Sequence, residues 1–312
     1  MNTVRSLERH GRRLWSPDAK RADSRMTRFR KWVAERENIE LADYHALQAW
    51  SIKHSDRFWE HLYRYFDIES PTPYEAVVRG DQMWNLKWFP GAQVNFAQHV
   101  LRGIRDEPDR AAIIAGNEAG RMRTVTRGEL VRDVEAFAAY LTSIGITKGS
   151  HVAAYVINDA ESITAFLACT AIGAVWSSVS PDFGTEATRD RFEQFGPQLL
   201  IATDGYVFGG KEFHRTDAVN AILGHVPSIE RVVHMRSSLC AASQPAFMRP
   251  TIDWNDALTL GCKLPFSFAT VAFDHPLIVC FSSGTTGKPK GIVHGHGGIT
   301  LEAYKITALH GD

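Results

Sequence analysis

The sequence predicts an α/β fold, a mainly parallel sheet layered with helices, and three observations carry that expectation. From about residue 110, short apolar runs of strand length alternate with longer segments of helical period. The helical segments between the runs are long enough to act as the crossovers that parallel strands require. A further apolar run of strand length, Pro276–Phe281, reads as a buried strand and leads into a loop dense in glycine, hydroxyl and lysine. Ligands of open α/β sheets gather where strands end.

Each element follows from local chemistry. Ala111-Ala112-Ile113-Ile114 reads as a short strand. Thr126 and Glu129 form a capping-box pair opening a helix with Leu130, Val134, Phe137, Ala138 and Leu141 on one face, and Gly145 ends it. Residues 152–157 form an apolar run suited to a central strand. Residues 159–174 repeat the helical stripe at Ile163, Phe166, Leu167, Thr170 and Ala171, and 174–179 read as the next strand. A helix near 186–194 stops at Gly196-Pro197. A strand at 199–202, a helix at 218–223 and a strand at 231–234 continue the alternation, whereas 237–264 read as a connector. Before residue 100 the chain is rich in Trp, Tyr and Arg. There Leu47, Trp50, Ile52, Phe58, Leu62 and Tyr65 suggest one helix over 43–65. Trp84 to Gly91 read as an extension wrapping a later core, with its aromatics as packing anchors.

Composition narrows the function classes. With 312 residues, 44% apolar and 22% charged, the chain is expected to be soluble, globular and long enough for two domains. A formal net charge of zero gives no electrostatic case for nucleic acid or membrane surfaces. No run of apolar residues is long enough to span a bilayer, and MNTVRSLERHGRRLW has no apolar stretch of the kind a secretory signal carries. Cys169, Cys240, Cys262 and Cys280 lack metal spacing and read as reduced structural thiols of a cytoplasmic protein.

The loop after residue 281 carries the chemistry. Its glycines bring backbone amides close to a ligand, its hydroxyls add donors, and its lysines add fixed charge. A polyphosphate is the ligand that needs such donor density. Walker A spacing is not met, because only two residues separate Gly284 from Gly287 and Pro289 follows Lys288. Proline lacks the N–H and disfavours helical geometry before it, so the phosphates cannot rest on a helix starting at Lys288. A loop closing over the triphosphate fits better, against the plainer alternative of a solvated connector.

Other candidates are weaker. His294 and His296 alternate and would share one side of an extended chain, but no third ligand lies at useful spacing, so no metal site is expected. Gly295, Gly297 and Gly298 would let this segment pass close to substrate or a neighbouring helix. Pro181-Asp182-Phe183-Gly184 follows a strand, with Asp182 read as the N-cap of the next helix or as a ligand-facing group. No Ser-His-Asp or Cys-His arrangement supports nucleophilic hydrolysis.

The string SSGTTGKPKGIVHGHGG resembles the phosphate-loop signature of the adenylate-forming ligases, which join a carboxylate to AMP and then to a thiol. LWSPDAKRADSRMTRFRKWV and YHALQAWSIKHSDRFWEHLYRYFDI look like the N-terminal extension of the short-chain acyl-CoA synthetases, and WFPGAQVNFAQHVL resembles the segment that joins it to the first subdomain. SVSPDFGTEATRDRFEQFGPQLLIATDGYVFGGK, with IVHGHGG, looks most like the acetoacetate–CoA ligases. The resemblance covers nearly all of the chain. It implies the N-terminal part of the large domain of an adenylate-forming ligase, with residues 1–100 as the extension and 101–312 as an AMP-binding domain truncated after the phosphate loop.

The same resemblance implies ATP, CoA and Mg²⁺ as cofactors and acetoacetate as substrate, with acetate or another short acyl group as the alternative. Ser282, Ser283, Gly284, Thr285, Thr286, Gly287, Lys288 and Lys290 would hold the β- and γ-phosphates, Lys288 above Lys290. In the acetyl-CoA relatives the stretch matching 204–211 carries basic residues that meet CoA. Here only Lys211 keeps a cation, with Phe208 where a basic residue is often found, so Lys211 is a CoA candidate beside the reading of a plain surface turn. The family's Mg²⁺-associated Glu, ribose-holding Asp and charge-stabilising Lys have no counterpart before Asp312. The catalytic residues are therefore expected beyond the chain end, and these 312 residues alone are expected to lack ligase activity. A non-catalytic remnant is the competing reading.

Overall fold

Three helices open the computed structural model, which describes residues 23–118, 120, 122–237, 245–282 and 289–312. They are α1 (Arg25–Glu37), α2 (Tyr44–Lys53) and α3 (Ser55–Tyr65). The Ser24 side chain accepts from the Thr27 amide and Asp43 from the Ala46 amide, so both helix starts are capped. The single helix expected over 43–65 is instead two, because His54 leaves helical geometry at φ −127° and ψ 55°. Helix α1 was not foreseen. Only Phe29 and Val33 of it are buried, too sparse a stripe to stand out in a polar sequence. These helices belong to one packing unit, Met1–Phe66 with Glu302–Asp312, and Asp67–Leu301 form the other.

The second unit begins with a small antiparallel ribbon, β1 (Val78–Arg79) and β2 (Lys87–Trp88), followed by α4 (Phe96–Val100). Phe89 is fully buried as a packing anchor, but Trp84 is 83% exposed and anchors nothing. The expected strand at 111–114 is β3 (Ala111–Gly116), paired antiparallel with β4 (Met122–Thr126) in a sheet of its own. Then come α5 (Arg127–Ser143), β5 (His151–Tyr155), α6 (Ala160–Ala171), β6 (Val175–Val179), α7 (Thr185–Phe195) and β7 (Leu199–Thr203). A hairpin of β8 (Gly205–Phe208) and β9 (Lys211–His214) precedes α8 (Thr216–His225), β10 (Arg231–Met235), β11 (Thr251–Asp253) and α9 (Trp254–Gly261). The chain continues through β12 (Pro276–Phe281), β13 (Gly291–Gly295), α10 (His296–Tyr304) and a π-helical segment, Lys305–His310.

The main sheet has seven strands in the order β11-β10-β7-β5-β6-β12-β13, parallel throughout except for β12 against β13. The α/β class read from the sequence is the one observed. The capping box at Thr126 forms in both directions: the Glu129 carboxylate accepts from the Thr126 amide at 2.8 Å, and the Thr126 hydroxyl from the Glu129 amide at 3.2 Å. Gly196 closes α7 at φ 62°, a left-handed position that suits glycine.

Strand alternation divides the core into two layers. Val152, Ala154, Leu199, Ile201 and Val233 pack with Phe137 and Leu141 of α5, Leu167 of α6 and Trp254 of α9. Ala153, Tyr155, Leu200, Ala202 and Val232 face the other way, onto Phe192 of α7 and Ile222 and Leu223 of α8. Helices thus cover both faces, as a parallel sheet demands.

Three expectations need correction. Residues 237–264 are no mere connector, since they supply edge strand β11 and helix α9. Strand β12 is half-buried rather than buried, with only Leu277 fully enclosed, because it lies one place from the sheet edge. For the same reason Cys280 is exposed, as is Cys262; only Cys169 is a buried thiol, and Cys240 lies outside the described residues. Among the described residues no helix is long and apolar enough to cross a membrane.

Candidate functional site

Strands β12 and β13 form the hairpin that carries the glycine-, hydroxyl- and lysine-rich motif. Their last register pair is Phe281 with Gly291. Beyond it the Ser282 amide donates to the Lys290 carbonyl at 3.0 Å, and the Ser282 hydroxyl reaches the same oxygen at 3.4 Å. These contacts close the neck of the loop and fix where it leaves the sheet. Ser282 is half-buried and Lys290 exposed. Ser283, Gly284, Thr285, Thr286, Gly287 and Lys288 lie outside the described residues.

The neck stands at the carboxyl edge of the sheet, beside the exit of β6. Strand β12 meets β6 through a single register pair, Ile278 with Trp176. The buried Ser177 hydroxyl donates to the Val279 carbonyl at 2.9 Å and extends that seam by one side-chain bond. Parallel β5, β6, β7 and β12 all end at this edge, and chain order reverses around β5, with β6 on one side and β7 on the other. Such a reversal is where open α/β sheets form a ligand crevice.

Several polar groups line this edge. The buried Tyr155 hydroxyl, at the end of β5, donates to the Pro181 carbonyl at 2.9 Å. Burial pushes the Tyr155 phenol up, so it remains a donor at neutral pH. Asp204, just past β7, accepts from the Ser237 amide at 2.8 Å and lies 3.5 Å from His234 Nε2. Burial pushes the Asp204 carboxyl up, but His234 and the Ser237 amide together outweigh it and hold the group below the usual carboxylate range. Asp159 caps α6, accepting from the Ser162 amide at 3.1 Å, and burial followed by nearby Glu161 raises its carboxyl.

The remaining sequence candidates find varied places. Asp182 is exposed and does not cap α7: Gly184 holds that position without a side-chain bond. A turn in which the Phe183 amide donates to the Ser180 carbonyl delays the helix past the reach of Asp182. His294 and His296 do not share an extended chain, since His294 lies in β13 while His296 opens α10 and is fully buried. Among the described residues no three His, Cys, Asp or Glu side chains converge on a metal position. Residues 204–211 lie mostly in the β8–β9 hairpin, whose Gly209 and Gly210 take φ of 59° and 71°. That pair is the turn a two-residue hairpin favours. It leaves Phe208 and Lys211 exposed as register partners. Tyr155, Asp204 and Arg215 were missed as edge residues; a tyrosine closing an otherwise apolar strand was the one available signal.

Comparison with known proteins agrees with this layout. Residues 101–311 match the family described as AMP-binding enzyme, and residues 44–100 the one described as acetyl-coenzyme A synthetase N-terminus. Acetoacetyl-CoA synthetase of Rattus norvegicus is 34% identical over 310 residues, and acetoacetyl-coenzyme A synthetase of Rhizobium meliloti 35% over 304. Each alignment covers 96% of this chain and 45% of the relative. The solved structure of acetoacetyl-CoA synthetase from Streptomyces lividans superposes with a TM-score of 0.88 at 39% identity, over 96% of this chain and 45% of that one. The chain therefore spans about half the length of the relatives it matches. The match over residues 101–311, which span the parallel sheet covered by helices on both faces, places the chain in the AMP-binding enzyme family.

Proposed function

We propose that these residues form the triphosphate-gripping part of an acid–thiol ligase that makes acetoacetyl-CoA. In that reaction an acetoacetate carboxylate oxygen attacks the α-phosphorus of ATP and pyrophosphate leaves. The CoA thiolate then attacks the acyl carbon of the adenylate and AMP leaves. The observation that carries the reading is the loop neck, Ser282 to Lys290, seated beside the β6 exit. Hydroxyl, amide and ammonium groups suit phosphate oxygens, and each charge-assisted contact contributes about 1.5–3 kcal/mol. Ser282, Ser283, Gly284, Thr285, Thr286, Gly287, Lys288 and Lys290 hold the β- and γ-phosphates in this reading, and exposed Lys211 meets CoA. The loop offers no carboxylate, so no Mg²⁺ ligand is assigned among these residues and no step is routed through the ion. Residues 1–100 act as the extension and 101–312 as the nucleotide-binding part. Exposed thiols at Cys262 and Cys280 suit a reducing, cytoplasmic setting.

The acyl group rests on the relatives, several of which are named for acetoacetyl-CoA and one, from Penicillium aethiopicum, for malonamoyl-CoA. ATP–pyrophosphate exchange, measured on the polypeptide carrying this sequence with acetoacetate, acetate and malonamate, separates the possibilities. Exchange is expected to favour acetoacetate, and Lys288→Ala to lower it by about 10- to 100-fold. Equal rates with acetate would withdraw the acyl assignment, and ATP binding without exchange would turn the reading to a nucleotide-binding remnant.

A further inference from the structure

One carbonyl at the carboxyl edge receives two side-chain donors. Pro181 O accepts from the Tyr155 hydroxyl at 2.9 Å and from Arg215 Nε at 2.8 Å. Arg215 stands just before α8 and is half-buried. Its amide donates to the Asp204 carbonyl at 2.7 Å, and its Nη2 donates to the Tyr206 hydroxyl at 2.9 Å. The guanidinium also lies 5.0 Å from the Tyr206 ring and 5.6 Å from the Phe213 ring, and those rings stack on each other at 5.0 Å and 12°. One side chain therefore ties the loop after β6 to both strands of the β8–β9 hairpin.

The hairpin needs such a tie. Two strands of this length are marginal on their own in water. At the tip the Glu118 carboxylate accepts from the Gly210 amide at 3.2 Å. The base has Arg215. The fork of the guanidinium bonds the Pro181 carbonyl, the Tyr206 hydroxyl and, at 3.4 Å, the His214 carbonyl while its plane rests near the rings, which a lysine cannot reproduce.

We propose that Arg215 is a positioning residue for the thiol half of the reaction: it sets the β8–β9 hairpin, and with it Lys211, against the loop after β6. The inference rests on the reading that Lys211 meets CoA. It predicts a selective defect, because the β12–β13 hairpin that carries the triphosphate loop has no contact with Arg215 among the bonds described above.

The test uses the full polypeptide that carries this sequence and follows both half-reactions. Arg215→Ala is expected to raise KM for CoA by about tenfold or more while ATP–pyrophosphate exchange stays within about twofold, and Arg215→Lys is expected to restore little. Tyr206→Phe, which keeps the ring and loses one acceptor, should give a smaller rise of the same selectivity. It also serves as the readout if Arg215→Ala does not fold. Equal losses in both half-reactions, or an unchanged KM for CoA in both variants, would overturn the proposal. Failure of the underlying reading looks different: the unmodified protein shows no exchange, or Lys211→Ala leaves KM for CoA unchanged.

Discussion

Burial holds His296 neutral. Its Nδ1 accepts from the Phe96 amide at 3.1 Å, which places the ring proton on Nε2, an atom that is buried without a partner. Desolvation first, and His275 beside it second, push the imidazole down to about 3 from 6.5. Between those two values the unfolded chain binds the proton and the folded chain does not. Stability therefore rises with pH from about 3 to about 6.5 and levels off above, by linkage. His99, lowered chiefly by burial, adds a term of the same sign. Urea unfolding across this window is expected to show the slope, and His296→Asn, which keeps an acceptor but cannot titrate, should flatten it. A variant with the original slope would show that His296 is not the group responsible. Nothing in the HGHGG string distinguished this histidine from His294. What separates them is the helix start at 296 and the packing around it, both fixed by contacts far along the chain, Phe96 among them.

At the scale of elements, the crossing of α5 and α9 depends on one residue. A Cβ added at Gly261 would lie 1.8 Å from the Ala136 carbonyl oxygen, a backbone atom that cannot rotate away. Gly261→Ala must push the helices apart, and such overpacking typically costs about 1–3 kcal/mol. A lowered denaturation midpoint is the expected result, and a variant as stable as the parent would show that the two helices have room to separate at no cost. Elements with their own chemical punctuation were legible: the Thr126–Glu129 box, Gly145 and Gly196 marked α5 and α7 closely. Elements defined by tertiary pairing were not. Three-residue β11 is too short to show alternation, and the apolar run at 111–114 could not announce a sheet separate from the main one. The break at His54 interrupts no apolar spacing, so one helix looked sufficient. The same division applies to the candidate site. The glycine-, hydroxyl- and lysine-rich motif is local and legible in the sequence, whereas Tyr155 and Arg215 act on a carbonyl 26 and 34 residues away.

At the scale of the molecule, the sheet is strongest in the middle and weakest at the β12–β13 side. Strand β5 is paired along its length on both sides, to β6 and to β7, and both of its faces are buried. Strand β12 is joined to β6 by one register pair and the Ser177 hydroxyl, and beyond it only β13 continues the sheet. In β13, Ile292 and Val293 are 49% and 59% exposed, so little burial reinforces that side. Backbone amide protons convert this asymmetry into time. Those of β5 should exchange with deuterated solvent only when the whole sheet opens, while those of β12 and β13 escape through local opening at lower free energy. Mass-resolved exchange should therefore label β12 well before β5, the strand at the centre. Ser177→Ala should advance β12 further and leave β5 where it was. If β12 and β5 exchanged together, the sheet would be one cooperative body and the seam beside β6 would have no dynamic meaning.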